Sequence, residues 1–233
     1  MILSGEVGPG SRLPPERELA AQLGVNRSTL RSALTRLATE RLVRIRQGSG
    51  CVVADYAREA GPEILPVLAG PGATTAVARE VAADLLFVRR NLARGVLERM
   101  PRRVSRPIRA QLESEVERFA RLVEAGAEPS IIAEQDVAVI RRFVAATKSR
   151  VMQHCLNPLL EFPLATPGLR DAFYADASRY VAAYRAIVAW LALPTRPSPT
   201  AILAKLEARD RETLRRFGRL VRARSKPRAP AKR

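Results

Sequence analysis

A group of polar side chains follows Gly24, and its members suit contacts with phosphate and with base edges. The group comprises Asn26, Arg27, Ser28, Thr29 and Arg31. An arginine guanidinium presents two parallel donors that match the O6 and N7 acceptors of guanine. A serine or threonine hydroxyl at the start of a helix can bind phosphate with help from the helix dipole. These residue types therefore suit nucleic-acid binding.

Two short helices and a hairpin are predicted to position this group. Leu19, Ala20 and Leu23 repeat at helical spacing, and Gly24 then ends the first helix. Asn26 can cap the second helix. Its apolar stripe is formed by Leu30, Ala33, Leu34, Leu37 and Ala38. The following segment, RLVRIRQGSGCVVAD, has β-branched residues on both sides of QGSG and predicts a β-hairpin.

Composition narrows the possible partners and compartments. The chain of 233 residues has 40 Lys and Arg against 23 Asp and Glu, a formal net charge of +17, which favours a polyanionic partner. Two cysteines far apart indicate neither a disulfide framework nor a zinc site, so we expect the reducing cytoplasm. We expect no membrane partner, because no apolar run approaches the roughly 18 residues of a membrane span.

The rest of the chain predicts helices separated by proline and glycine, so we expect a mainly α protein. The helices are predicted near residues 77–100, 106–125, 129–146, 149–161, 168–193 and 199–221. The predicted domains are an N-terminal winged helix-turn-helix at 1–56, a linker with a short helix at 57–75, an all-α helical bundle at 76–221 and a disordered basic tail at 222–233.

The motifs PGSRLPPERELA, LGVNRSTLR and the wing GSG occur in this order, and together they resemble the DNA-binding domain of the GntR superfamily. The resemblance implies a transcriptional regulator that binds an inverted-repeat operator as a homodimer. It also implies operator contacts by Arg17, by the recognition-helix group that begins at Asn26, and by the wing residues Gln47, Gly48, Ser49 and Gly50. For Arg31, a surface salt bridge with Glu16 or Glu18 is the alternative.

The fragments GPEILPVLA, DLLFVRRN and DVAVIRRFVAAT resemble the FadR-type C-terminal domain, and most closely its fatty-acid-responsive branch. Many members of that family bind a divalent metal through an Asp and three His. Here Asp136 matches the Asp, but Ile140 and Tyr184 stand at the first two His positions and no His lies near the third. The resemblance therefore implies an effector domain without a metal or other cofactor.

The candidate effector-binding residues are Arg89, Asn91, Asp136 and Tyr184. By resemblance, a long-chain acyl-CoA or fatty acid is the leading effector, with its acyl tail in an apolar cavity and its CoA phosphates on Arg209 or Arg211. Another carboxylate, or no ligand, is the alternative. For Arg89, the alternative role is an internal ion pair with Asp136.

Two other classes of function are a general DNA-coating protein and an enzyme. A general DNA-coating protein would use the net charge of +17 and the basic tail without sequence preference. The tail itself is either a solvated end or a source of additional phosphate contacts. An enzyme is not expected, because the sequence has one histidine, no nucleophile motif and no glycine-rich phosphate loop after a strand.

Overall fold

The computed structural model describes residues 1–3, 5–46, 50–69 and 74–224, and the chain divides into two compact units, Met1–Leu68 and Ala69–Arg233. The first unit contains α1 (Glu16–Gln22), α2 (Arg27–Thr39), β1 (Val43–Arg46), β2 (Gly50–Val53), α3 (Tyr56–Glu59), a 3-10 turn (Pro62–Ile64) and α4 (Leu65–Leu68). The second contains α5 (Thr75–Arg99), a 3-10 turn (Met100–Arg102), α6 (Arg106–Glu124), α7 (Pro129–Ala146), α8 (Arg150–Ala165), α9 (Pro167–Tyr174), α10 (Ser178–Ala192) and α11 (Thr200–Arg224). The predicted fold class, mainly α with an N-terminal winged helix-turn-helix, is confirmed.

The first unit is a helix-turn-helix packed against a small antiparallel sheet. Gly24 has a φ of +65°, a left-handed conformation that glycine adopts without steric cost and that turns the chain from α1 into α2. The apolar stripe of α2 buries Leu30 and Leu34, each 4% exposed, against Ala20, Val43 and Cys51. This packing fixes which face of α2 remains in solvent.

The sheet consists of β1 and β2, joined in antiparallel register from Val43 opposite Val53 to Arg46 opposite Gly50. The segment before α1 adds a further backbone bridge between Arg12 and Val52. The predicted hairpin is therefore present. Three wing residues, Gln47, Gly48 and Ser49, lie outside the described residues.

The second unit is built only of helices in its described part. Helix α6 packs on α7 and α10, and α5 packs on α11. Phe119 of α6 and Met100 in the turn after α5 are both 0% exposed, so the packed faces exclude water. Among the described residues, no helix has the length and apolar character that a membrane crossing requires.

The predicted helix at 168–193 was wrong, because the structure has two helices there, α9 and α10, with a break at residues 175–177. No glycine or proline marks the break. Instead the Asp176 carboxylate accepts a hydrogen bond of 2.6 Å from the Ser178 hydroxyl and pairs with Arg179. Such local bonding of an Asp side chain offers the chain an alternative to continued helix.

Two helix ends also differ from the prediction. Helix α8 continues past residue 161 to Ala165, although Pro158 and Pro163 lie inside it. Helix α11 reaches Arg224, so residues 222–224 of the predicted disordered tail are helical, and residues 225–233 lie outside the described residues. Of the predicted linker at 57–75, residues 57–68 cluster with the first unit.

Candidate functional site

The polar face of α2 is fully presented to solvent. Arg27, Ser28, Thr29 and Arg31 are exposed, whereas Leu30 between them is buried. The four polar residues occupy the first turn and a half of the helix, the part of a recognition helix that reaches base edges in a major groove. The structure therefore brings together the sequence-predicted residues of α2.

Asn26 holds the start of α2 in place. Its side-chain oxygen accepts hydrogen bonds from the Thr29 backbone N–H at 2.8 Å and from the Ser28 hydroxyl at 2.7 Å. This is the N-cap interaction that the sequence predicted, and it satisfies a backbone donor at the helix start. Asn26 thus fixes the position of its neighbours, and it also orients the Ser28 hydroxyl.

Loss of this cap should loosen α2. We expect Asn26→Ala to accelerate amide hydrogen exchange in residues 27–39 by about 2- to 30-fold, which corresponds to the ~0.5–2 kcal/mol that an N-cap contributes. Hydrogen exchange with mass spectrometry measures this directly. Asn26→Asp is the matched control, because aspartate also accepts from the N3 amide, and it should exchange at nearly the wild-type rate. Equal rates in Asn26→Ala and the wild type would contradict this role.

Three arginines of the first unit differ in their partners. Arg31 forms a salt bridge of 3.0 Å with Glu16, and its side chain is 70% exposed. The alternative considered for Arg31 is therefore present in the free protein, although so exposed a pair is worth only ~0–1 kcal/mol and leaves the guanidinium accessible to phosphate. The guanidinium groups of Arg17 and Arg27 are exposed and pair with no side chain among the described residues.

A cluster of buried polar side chains lies inside the second unit, with Asp136 of α7 at its centre. Asp136 is 1% exposed and accepts a hydrogen bond of 2.8 Å from the Tyr174 hydroxyl and another from the Tyr184 hydroxyl. The Arg89 Nη2 atom lies 3.4 Å from its Oδ2 atom. The guanidinium of Arg89 also lies over the Phe173 ring, 5.3 Å from the centroid. The internal Arg89–Asp136 pair is therefore formed. Together with the two tyrosines, it connects helices α5, α7, α9 and α10 through Asp136.

Burial and charge perturb the ionisable groups of this cluster. Burial raises the pKa of Tyr174 and Tyr184 well above the usual tyrosine value, and the Asp136 carboxylate raises both further. Burial also raises the pKa of Tyr180 to about 12, although the nearby Arg209 guanidinium acts to lower it. Burial acts to lower the pKa of Arg89, but attraction to Asp136 and the three tyrosines outweighs it, and the net pKa is raised.

These tyrosine pKa values predict alkaline instability of the second unit. The fold favours the neutral phenols, so their contribution is complete below the unfolded-state pKa near 10 and is lost as pH rises toward the folded-state value of about 12 for Tyr180. The single tryptophan, Trp190 in α10, is 7% exposed and reports on this unit. The urea midpoint from its fluorescence should fall between about pH 9 and about pH 11. A constant midpoint over this range would contradict the expectation.

A cavity of about 70 Å³ lies beside this cluster. Apolar side chains from five helices make most of its wall, among them Val96, Ile140, Leu156, Ile187 and Leu206. One end is polar, formed by Arg89, Arg90, Tyr184, Arg209 and Asp210. Pockets for organic ligands usually have volumes of ~300–1,000 Å³, so the present cavity is smaller than such pockets and is too small for a long acyl chain.

The candidate effector residues do not all meet at this cavity. Arg89 and Tyr184 line it. Asp136 is not a lining residue, but it pairs with Arg89 and accepts a hydrogen bond from Tyr184. Asn91 is exposed, and its amide donates to the Phe87 carbonyl oxygen of its own helix at 2.9 Å. Asn91 is thus separate from the cluster.

The two arginines expected at the CoA phosphates already interact with other side chains of the protein. Arg209 lies over the Tyr180 ring, 4.2 Å from its centroid, with its Nε atom buried and unpaired. Arg211 pairs with Glu207 at 3.1 Å on the surface of α11. Neither arrangement presents a free phosphate site.

Sequence reasoning missed several members of the cluster. Tyr174 was overlooked because it ends α9, where the sequence was interpreted as one continuous helix. Arg90 pairs with Asp210 at 3.1 Å, 120 positions away, which no local pattern indicates. Among the described residues, no group of three or more His, Cys, Asp and Glu could hold a metal ion.

The chain is similar to known proteins in both sequence and structure. Residues 1–53 match the family model described as bacterial regulatory proteins, gntR family. The chain is 49% identical over 67 residues to the HTH-type transcriptional regulator Mce2R of Mycobacterium tuberculosis, a match covering 29% of this chain and 28% of that protein. It is 38% identical over 92 residues to the Fatty acid metabolism regulator protein of Vibrio cholerae, covering 40% of this chain and 32% of that protein.

These matches span less than one third of each relative. A solved structure of Lar, which controls the expression of the Listeria monocytogenes agr system and mediates virulence, aligns with 96% of this chain and 91% of its own. The TM-score is 0.50 at 14% sequence identity, so this likeness concerns the fold alone. The matching family and Mce2R are regulatory proteins, not enzymes, in agreement with the sequence expectation. Residues 1–53 of this chain are therefore similar to the gntR family of bacterial regulatory proteins.

Proposed function

We propose that the whole chain is a GntR-type transcriptional regulator that binds operator DNA in a sequence-specific manner. The observation that carries the proposal is the solvent-facing start of α2, where Arg27 pairs with no side chain among the described residues and Asn26 caps the helix. A guanidinium in this position can bind the O6 and N7 atoms of guanine in the major groove. Gly50, with a φ of +85° at the start of β2, belongs to the proposed wing, which would reach into the minor groove.

Affinities for genomic operator candidates and for random DNA, measured at one fixed salt concentration, test this proposal. A specific regulator should bind its operator about 10³- to 10⁷-fold more tightly than random DNA. The alternative, a general DNA-coating protein, predicts equal affinities at each salt concentration. Equal affinities would therefore overturn the proposed function.

We further propose a homodimer on an inverted-repeat operator. The support is the two-fold symmetry of such sites, which a two-fold symmetric protein matches with one winged domain on each half-site. Light scattering of the free protein should give twice the 25.6 kDa mass of the chain. A monomeric mass for both the free protein and the DNA complex would contradict the dimer.

For the helical unit, we propose binding of a small-molecule effector with an apolar body and an anionic group. The apolar cavity wall and the Arg90 and Arg209 guanidinium groups at its polar end support this chemistry. A fatty acid or acyl-CoA belongs to this class, and the cavity must widen from about 70 Å³ to accept its tail. Because Asp136 already has three internal donors, the anion would instead compete with Asp210 for Arg90 and Arg209, which lie 3.1 and 3.5 Å from that carboxylate, and would leave the Asp136 cluster intact.

Native mass spectrometry of the purified protein tests the effector proposal. A bound fatty acid or acyl-CoA would identify the acyl class, and a short carboxylate would identify the alternative. Added ligand should then lower operator affinity or raise it by a measurable factor, because an effector must bind the two states unequally. If neither acyl ligands nor short carboxylates bind or change operator affinity, the unit works without a small-molecule effector.

A further inference from the structure

The excess positive charge of the chain is concentrated outside the winged domain. Residues 1–68 contain nine arginines and seven acidic residues, a net charge of +2, so 15 of the 17 net positive charges belong to residues 69–233. Operator recognition by α2 needs only a few cations. The helical unit therefore carries a charge excess that the proposed function does not use.

Part of this excess lies at the junction of α5 and α6, in a set of residues that we name the arginine corner. It consists of five arginines within eleven positions, namely Arg99, Arg102, Arg103, Arg106 and Arg109. The first four are exposed and the fifth is half-buried. The backbone turns here through the 3-10 helix Met100–Arg102, so the arginines at the end of α5 and at the start of α6 share one corner of the unit.

None of these arginines forms a salt bridge with another described residue. Within the described residues, no carboxylate oxygen lies within 4.0 Å of their guanidinium nitrogens. The first turn of α6 contains no acidic residue. Arg106 and Arg109 lie one turn apart near the positive end of the α6 dipole, where like charges repel and cations are disfavoured. Folding alone does not favour this arrangement.

Several other arginines of the same unit pair with glutamate. On α11, Arg211 pairs with Glu207 at 3.1 Å and Arg216 pairs with Glu212 at 3.0 Å. Arg185 of α10 pairs with Glu117 of α6 at 2.6 Å. The arginine corner differs from these pairs, because its five neighbouring arginines have no carboxylate partner within 4.0 Å in the described part of the chain.

We propose that the arginine corner binds the phosphate backbone of duplex DNA, as a sequence-independent second contact surface. The inference rests on the proposed function, which brings the chain to DNA. Guanidinium forks match pairs of phosphate oxygens, and phosphate contacts by arginine supply affinity without reading sequence. A bilayer is a poorer partner, because the large exposed hydrophobic side chains of the described residues, such as Phe87 and Val151, lie outside residues 99–109.

The test compares two variants that each lose three positive charges. One variant carries Arg102→Gln, Arg103→Gln and Arg106→Gln at the corner. The control carries Arg141→Gln, Arg185→Gln and Arg211→Gln, which remove arginines that are exposed but paired with glutamate. Neither set touches α2 or the cavity. Operator affinity is measured against salt concentration on a long DNA fragment, together with the affinity for random DNA.

We expect the corner variant to flatten the slope of log affinity against log salt by about 2 to 3, since each lost phosphate contact contributes about 0.9. The control should keep the wild-type slope, and the ratio of operator to random affinity should be equal in all three proteins. An unchanged slope in the corner variant, or an equal change in the control, overturns the proposal. If the wild-type protein binds operator and random DNA equally, that result contradicts the proposed function and not the role of the arginine corner. Tighter binding to anionic vesicles than to DNA at equal salt overturns the assignment to DNA.

Discussion

Replacement of Asp136 by alanine should lower the free energy of unfolding of the helical unit by about 3–5 kcal/mol. The substitution removes the group that accepts from Tyr174 and Tyr184, and it leaves the Arg89 guanidinium buried without its counter-charge. Denaturant unfolding followed by Trp190 fluorescence measures the effect, because Trp190 lies in the same helix as Tyr184. Far-ultraviolet circular dichroism would record the winged domain as well, so fluorescence is the more selective signal.

An exposed ion pair of the same unit provides the control. Arg141 pairs with Glu161 at 3.1 Å, and their side chains are 50% and 64% exposed. Arg141→Ala should therefore lower the free energy of unfolding by less than about 1 kcal/mol. If the free energy of unfolding of Asp136→Ala were within about 1 kcal/mol of the wild-type value, the cluster would not be the structural centre of the helical unit.

Replacement of Arg27 by alanine should weaken operator binding by about 5- to 150-fold, which corresponds to the ~1–3 kcal/mol of a bidentate contact with guanine. The ratio of operator to random affinity should fall by a similar factor, because a base contact carries sequence information. Affinity at fixed salt, measured for operator and random DNA, gives both quantities.

Arg36→Ala is the matched control for this substitution. Arg36 lies at the other end of α2, where it pairs with Glu40 at 3.1 Å. Arg36→Ala should change operator affinity less than Arg27→Ala does, and it should leave the ratio of operator to random affinity unchanged. Equal losses on operator and random DNA in Arg27→Ala would instead indicate a phosphate contact.

The winged domain could be predicted closely because its signals are local. The spacing of Leu30 and Leu34, the turn at Gly24 and the cap at Asn26 act within a few positions of the chain. Local signals also predicted the hairpin. The salt bridge between Arg31 and Glu16 was left as an alternative, since sequence alone cannot choose between an internal carboxylate and a phosphate for an exposed arginine.

The helical unit was less predictable because its site depends on contacts between distant positions. Arg89 and Asp136 were named as partners or as ligand contacts, and the structure pairs them. Asn91 was grouped with them by position in the chain, yet it faces solvent. At the break between α9 and α10, the Asp176 carboxylate accepts a hydrogen bond from Ser178. The single helix predicted here did not indicate that Tyr174 ends α9 and donates a hydrogen bond to Asp136.

Selection of bound sequences from a random duplex library, performed in parallel with wild-type protein and Arg27→Ala, tests the central claim most directly. The proposed function predicts that wild-type protein enriches one inverted repeat with half-sites about one helical turn apart. It also predicts that Arg27→Ala enriches the same repeat with a relaxed preference at one base pair of each half-site. Enrichment of no common sequence by the wild type, or identical preferences for both proteins, would contradict sequence reading by Arg27 of α2.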